Sequence, residues 1–191
     1  VTEPLQQRLN SSPALENVDL LAAPVAAALR VLPAELAVAV TVAEIDPALA
    51  DTAAFCAHYA VLAAESANCV VVAGRRGEVA TMAACVVLAT TRADVNGLLR
   101  RTLGAKKISF AAMDVAVSES GMEYGGITPI GLPTDWPIFI DRAVVDAGDV
   151  VVGSGLRRSK IVVAGSTLAA LPNATVLDDL GLPAALRPAN G

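Results

Sequence analysis

Apolar residues run almost unbroken from Cys69 to Ala73 and from Val79 to Ala89, parted by Gly74-Arg75-Arg76-Gly77-Glu78. Such runs predict strands, and a polar, glycine-bounded break of hairpin length predicts that they pair antiparallel. A second hairpin is predicted where Asp149-Val150-Val151-Val152 meets Ile161-Val162-Val163 across Gly153-Ser154-Gly155 and the basic run Leu156 to Lys160. Helical patches fall at Leu5 to Leu9 and Leu20 to Val31, with Ser12-Pro13 between them reading as an N-cap followed by proline at the first helical position. Leu36 to Ile45 alternates as a strand does, and Asp46-Pro47 opens a helix from Ala48 to about Ala60. Asp94 is placed to cap a helix through Val95, Leu98, Leu99 and Leu103 that stops at Gly104. Ile108-Ser109-Phe110 reads as a short strand, Met113 to Ser120 as a helix and Pro137 to Asp141 as a buried strand. A short helix near Thr167 to Leu171, the strand Thr175-Val176-Leu177 and a Pro- and Ala-rich tail complete the pattern. Helices mixed with hairpins, in no strict alternation, predict a mixed sheet.

Composition narrows the class. Of 191 residues 54% are hydrophobic, enough for one domain with a sizeable core, yet only 3% are aromatic, so packing rests on small side chains in close layers. The formal net charge of -5 lacks the basic excess that drives affinity for duplex DNA, so any nucleic-acid contact must be local. Cys56, Cys69 and Cys85 are widely spaced and there is one histidine, which argues against structural zinc and against a disulfide framework. The apolar stretch Leu20 to Leu29 follows Glu16 and Asp19 and is broken by Arg30, Pro33 and Glu35, short of the roughly 20 residues a membrane span needs. Cytoplasmic residence, no membrane partner and no DNA partner are the resulting expectations.

The decapeptide Tyr124-Gly125-Gly126-Ile127-Thr128-Pro129-Ile130-Gly131-Leu132-Pro133 can be neither helix nor central strand. It lacks the spacings of the phosphate-binding and dinucleotide-binding glycine motifs. Its main-chain amides remain able to cradle a carbonyl, a carboxylate or a developing oxyanion, and glycine content alone leaves a purely structural turn equally open. His58 sits mid-helix with no nucleophile placed for it, so a histidine-based hydrolase is not expected. Arg157, Arg158 and Lys160 beside Gly153-Ser154-Gly155 form one cationic cluster, and Arg100-Arg101 with Lys106-Lys107 form another. Taken alone, each reads as a solvated basic turn.

Leu103 to Ala111, Gly121 to Pro133, Phe139-Ile140-Asp141 and Gly153-Ser154-Gly155, in this order, resemble the YbaK/EbsC family of aminoacyl-tRNA deacylases. That family includes the free-standing Cys-tRNA(Pro) deacylase and the editing domain inserted in bacterial prolyl-tRNA synthetases. The resemblance spans about residues 36 to 186, and the Gly-x-x-x-Pro loop followed by Ile-Gly-Leu-Pro is its most specific part. It implies an α/β (α+β) fold: a mixed, largely antiparallel β-sheet domain surrounded by helices. Residues 1–35 would be a helical extension packed on a deacylase domain of residues 36–191.

The same resemblance implies a pocket for the aminoacyl 3′ end of tRNA, with the loop Gly125 to Pro129 meeting the acyl group through its backbone and no metal or organic cofactor. Gly125, Gly126 and Thr128 are then expected to act on the ester, with Pro129 and Gly131 shaping the pocket and Asp141, Gly153, Ser154, Gly155 and Lys160 on the substrate side. The family carries a lysine where this chain has Asn68, which can hydrogen-bond a ribose or ester but supplies no charge. Three functions follow as expectations. The first is a trans-acting deacylase of mischarged tRNA, with an aminoacyl-tRNA synthetase as a further partner. The others are a binding module that lost its chemistry with the lysine, and a hydrolase of another small aminoacyl ester.

Overall fold

The computed structural model describes residues 3–183. Residues 184–191, which belong to the Pro- and Ala-rich tail, lie outside the described residues. In chain order the strands are β1 (Ser12–Pro13), β2 (Thr41–Glu44), β3 (Ala67–Arg76), β4 (Val79–Leu88), β5 (Thr91–Ala93), β6 (Lys107–Phe110), β7 (Ile138–Asp141), β8 (Asp149–Gly153), β9 (Ser159–Ala164), β10 (Ala174–Leu177) and β11 (Gly181–Pro183). The helices are α1 (Leu5–Arg8), α2 (Ala23–Val31), α3 (Ala34–Ala37), α4 (Thr52–His58), α5 (Arg100–Thr102), α6 (Met113–Ser120), α7 (Arg142–Asp146) and α8 (Gly165–Ala169).

Two sheets carry the fold. One has the order β1-β2-β9-β8 and is antiparallel throughout; the other has the order β10-β7-β4-β3-β6 and is mixed, because β7 runs parallel to both β4 and β10. Both hairpins expected from the apolar runs are present. β3 and β4 pair from Ala67↔Leu88 to Arg76↔Val79, leaving only Gly77-Glu78 as the turn, and β8 pairs with β9. The strands read as continuous apolar runs because both faces are covered. In β8, Val150 and Val152 enter the main core while Val151 faces the other way, against α1 and α4 residues such as Leu5 and Phe55. In β4, Ala84 and Val86 point into the main core, and Ala83, Cys85 and Val87 pack on Val95 and Leu99 of the π-helical turn Val95–Leu99 that leads into α5. That turn is started by Asp94, whose carboxylate accepts from Gly97 N at 3.0 Å and Leu98 N at 2.7 Å.

Three local expectations are corrected. Ser12-Pro13 does not start a helix: both residues are extended and pair with Val42 and Thr41, so their backbone bonds go to a sheet edge. The alternation from Leu36 to Ile45 is strand only over Thr41–Glu44, since Pro33 begins the short helix α3 before it. The expected helix from Ala48 divides into a 3-10 turn, Pro47–Leu49, capped by Asp46, and α4, capped by Asp51.

The N-terminal residues are built into the main core. Ala14, Leu21, Ala22, Val25, Ala26 and Leu29 all belong to it, and α2 lies against the second half of the glycine decapeptide, where a side chain at Gly131 would collide with the backbone of Pro24 and Val25. Ala22 N donates to Ser154 O at 3.0 Å, and Ser159 Oγ donates to Leu20 O at 2.7 Å. Truncating Leu29, which has no exposed surface, should therefore destabilise the whole fold. We expect Leu29→Ala to cost about 2–5 kcal/mol in urea unfolding, with one cooperative transition for the parent and the variant.

Candidate active site

β6 pairs with β3 only from Val72 to Arg75, so the first residues of β3 have β4 on one side and an open edge on the other. β8 approaches that edge from the other sheet and meets it in a single bridge, Ser66↔Val151. The gap left between β8 and β6 is a cleft of about 570 Å³. Its walls come from distant parts of the chain: Ala50-Asp51-Thr52 at the start of α4, Ala67 to Val71 on β3, Tyr124, Gly125 and Ile127 of the glycine loop, and Gly153, Arg157 and Lys160 of the second hairpin.

The glycine loop is held by direct backbone packing. Gly155 N donates to Gly126 O at 2.8 Å, Glu123 N donates to Gly155 O at 2.8 Å, and Gly126 N donates to Glu123 O at 2.9 Å. Gly125 has φ of +83°, a conformation that glycine adopts without strain. Gly153 carries no side chain because a Cβ there would fall inside the van der Waals radii of Gly126 O and Ile127 O. Arg157 clamps the arrangement from outside, donating to Tyr124 O at 3.2 Å and Pro47 O at 3.1 Å. Gly125 and Ile127 line the cleft, and their backbone N–H groups donate to no acceptor among the described residues.

Opposite the loop, Thr52 Oγ1 donates to Asn68 Oδ1 at 2.7 Å. With its oxygen engaged, Asn68 offers the two N–H donors of its amide to whatever enters the cleft. Lys160 is only 8% exposed; its Nζ donates to Ala50 O at 3.0 Å and lies 5.4 Å from the centre of the Phe55 ring. Burial pulls its pKa below the ordinary lysine value of 10.5, and neighbouring Asp51 and the Cys56 thiol oppose that shift only in part. Cys69 also lines the cleft, but burial raises its thiol well above the ordinary value, with Cys85 nearby adding to the effect. It is no thiolate nucleophile at neutral pH. His58 is exposed on α4, packs edge-on against Tyr59 and takes no part in the cleft wall.

The cleft therefore unites Asn68, Gly125, Gly153 and Lys160 of the residues expected from sequence. Gly126 lies just behind the wall, its amide already engaged. Thr128 is fully buried with an unpartnered hydroxyl, and Pro129 is buried as well. Gly131 packs on α2. Ser154 bonds Ser159 Oγ at 2.7 Å beneath the hairpin turn, and Gly155 braces Gly126. Asp141 lies away from the cleft, where its carboxylate accepts from Gly181 N at 3.0 Å and burial raises its pKa. Asp51 and Thr52 were not singled out from sequence. Their signal was the Asp-Thr start of a helix, which reads first as an N-cap, and Asp51 does cap Ala53 N at 3.0 Å. Among the described residues, no three His, Cys, Asp or Glu side chains are grouped as metal ligands, and no helix is long and apolar enough to cross a membrane.

The comparisons with known proteins agree with the fold. Residues 46–171, two thirds of the chain, match the aminoacyl-tRNA editing domain family, and the chain belongs to that family. Among solved structures it is similar to a candidate trans-editing enzyme for prolyl tRNA synthetase, with a TM-score of 0.68 and 21% identity over 82% of this chain and 94% of that one. It is also similar to hypothetical protein APE2540, with a TM-score of 0.65 and 19% identity over 74% of this chain and 90% of that one. A candidate signal transduction protein from Marinobacter aquaeolei VT8 gives a TM-score of 0.51 and 16% identity, covering 83% of this chain and 30% of that longer one. No curated protein matches the chain.

Two outcomes are expected from this geometry. Gly153→Ala should push the glycine loop off the β8 end, costing about 1–3 kcal/mol in chemical denaturation, because the atoms it meets are backbone. Lys160 carries a folded-state pKa below its unfolded one, so the unfolded chain binds more protons between those two values and stability should rise with pH across that window, up to about the ordinary value of 10.5. Lys160→Met should remove this rise in a Tm-against-pH series while leaving the protein at least as stable at neutral pH.

Proposed function

We propose that this chain is a trans-acting aminoacyl-tRNA deacylase that hydrolyses the ester of a mischarged small amino acid, in the cytoplasm and without a cofactor. The observation that carries the reading is the pairing across one cleft of two uncommitted amides, Gly125 and Ile127, with the Asn68 amide and the buried Lys160 ammonium. An ester seated with its carbonyl oxygen on the loop amides has its tetrahedral oxyanion stabilised as charge develops. Water adds to the carbonyl carbon, oriented by the neighbouring hydroxyl of the terminal ribose. The bond from that carbon to the ribose oxygen breaks, and the proton released by water ends on the departing oxygen. Asn68 donates to the ribose or ester, and Lys160 with Arg157 supplies the positive charge that the family lysine would have brought. Gly126, Thr128, Pro129, Gly131, Ser154 and Gly155 support this wall from behind, and the N-terminal segment through α2 braces it as part of the same core. A synthetase that hands over mischarged tRNA is the corresponding protein partner.

Membership of the aminoacyl-tRNA editing domain family and the likeness to a candidate trans-editing enzyme support this reading. The replacement of the family lysine by Asn68 favours a second one, a module that binds the tRNA end without cleaving it. Purified protein incubated with a panel of mischarged tRNAs decides between them. Deacylation above buffer, lost by at least about tenfold in Lys160→Met and independent of Cys69→Ser, is the expected result. No deacylation by the parent at micromolar concentration contradicts the proposal, and activity appearing only in Asn68→Lys establishes the binding module. Salt-insensitive turnover of a free aminoacyl ester, with no preference for tRNA, would establish the small-ester hydrolase instead.

A further inference from the structure

Charge is not spread evenly over this acidic chain. Residues 67–112 hold seven Lys and Arg against two Asp and Glu, although the whole chain has 14 against 19. Six of those cations, Arg75, Arg76, Arg100, Arg101, Lys106 and Lys107, come together at one corner. Arg75 and Lys107 are directly paired across β3 and β6, Lys106 N donates to Arg75 O at 2.8 Å, and Ala105 N and Gly104 N donate to Arg100 O and Arg101 O at 3.1 and 3.0 Å. All six are exposed, and among the described residues none forms an ion pair with an acid; the ion pairs there are Arg8–Glu65 and Arg142–Asp178. The carboxylate of Asp94 is engaged by helix amides, which leaves Glu78 in the hairpin turn as the remaining acid of this span.

Like charges placed directly opposite each other in an antiparallel pair oppose the pairing. The fold keeps Arg75 and Lys107 in that relation, while Arg76, next along β3, turns to the other face of the same strand end. β6 also links this corner to the cleft. Phe110, paired with Val72, stands 68% exposed on the cleft rim, and Lys107 lies three residues further along the same strand, about 10 Å away at strand rise. The corner is thus within reach of the nucleotides that adjoin one seated in the cleft, and duplex RNA is recognised largely through its backbone.

We propose that this corner is where the phosphodiester backbone of the acceptor stem docks when the 3′ end lies in the cleft. The site rests on the deacylase reading for its occupant. The acylated nucleotide enters between Asn68 and the glycine loop, the strand leaves past Phe110, and the following phosphates meet Lys107, Arg75 and their neighbours. The recognition is electrostatic and independent of sequence, so it supplies affinity and orientation and leaves the choice of amino acid to the cleft. An acidic protein thus holds RNA through one local surface.

The test uses Lys107→Glu, the double variant Arg100→Glu/Arg101→Glu, and Arg30→Glu on α2 as a control for net charge. Binding of uncharged tRNA is measured by fluorescence anisotropy across a salt series, and deacylation of charged tRNA is compared with that of the aminoacylated CCA trinucleotide. The corner variants should weaken tRNA binding roughly tenfold or more and flatten its dependence on log salt. They should raise KM for charged tRNA by a similar factor and leave kcat and the trinucleotide reaction unchanged, while Arg30→Glu behaves as the parent. Lys107→Glu replaces the like-charged pair with an ion pair to Arg75, so its Tm should stay level or rise as RNA affinity falls, which a folding defect would not produce. Equal tRNA affinity in parent and corner variants overturns the proposal, as does a loss of affinity that Arg30→Glu reproduces. Variants that keep tRNA affinity but aggregate would show that the cations only guard the exposed edge of β6, and this too overturns it. If the parent binds tRNA through the corner yet deacylates none, the docking site stands and the deacylase reading falls.

Discussion

The structure depends on one backbone-to-backbone contact, where the end of β8 and the turn after it lie against the glycine loop. Gly153 leaves room for Gly126 O and Ile127 O, and Gly155 N donates to Gly126 O at 2.8 Å. No side chain could hold the two segments so close, and a side chain on Gly153 would part them. The contact fixes a proline- and glycine-rich loop against β8, with Gly125 and Ile127 on the cleft wall. Preorganised donors of this kind act on developing charge because they need not reorganise when it appears.

The opposite wall obeys a different constraint. Lys160 is buried at a cost that its bonds to Ala50 O and its place over Phe55 offset only in part, as its lowered pKa records. Replacing a buried, partly compensated ammonium by an apolar residue is often neutral or stabilising, so the proposed role of Lys160 is chemical and not structural. Asn68, fixed by Thr52, adds donors without adding a second desolvated charge.

Much of the fold is legible in the sequence where the interactions are local. The β3–β4 and β8–β9 hairpins follow from strand runs and glycine turns, and the Asp94 cap follows from its position before an apolar helix. The glycine decapeptide marks the site because its composition excludes every regular element. What the sequence hides is non-local. That β7 runs parallel to β4 depends on a crossover from α6 through the loop, and Lys160 reads as one cation in a solvated turn until β9 brings it under α4. Asp51 and Thr52 pass for an ordinary helix start until β3 brings Asn68 to them. Asp141 is drawn into the expected site by its neighbours in sequence, whereas its carboxylate is used on Gly181 N on the far side of the sheet.

The central claim is that the acyl carbonyl of an aminoacylated adenosine sits on the amides of the glycine loop. Titrating the isotope-labelled protein with a non-hydrolysable, amide-linked aminoacyl-adenosine tests it most directly, read by amide chemical shifts. The account predicts saturable shifts centred on Gly125 and Ile127, together with the Asn68 side-chain amide. Saturable binding that leaves those three signals in place while others move would contradict it.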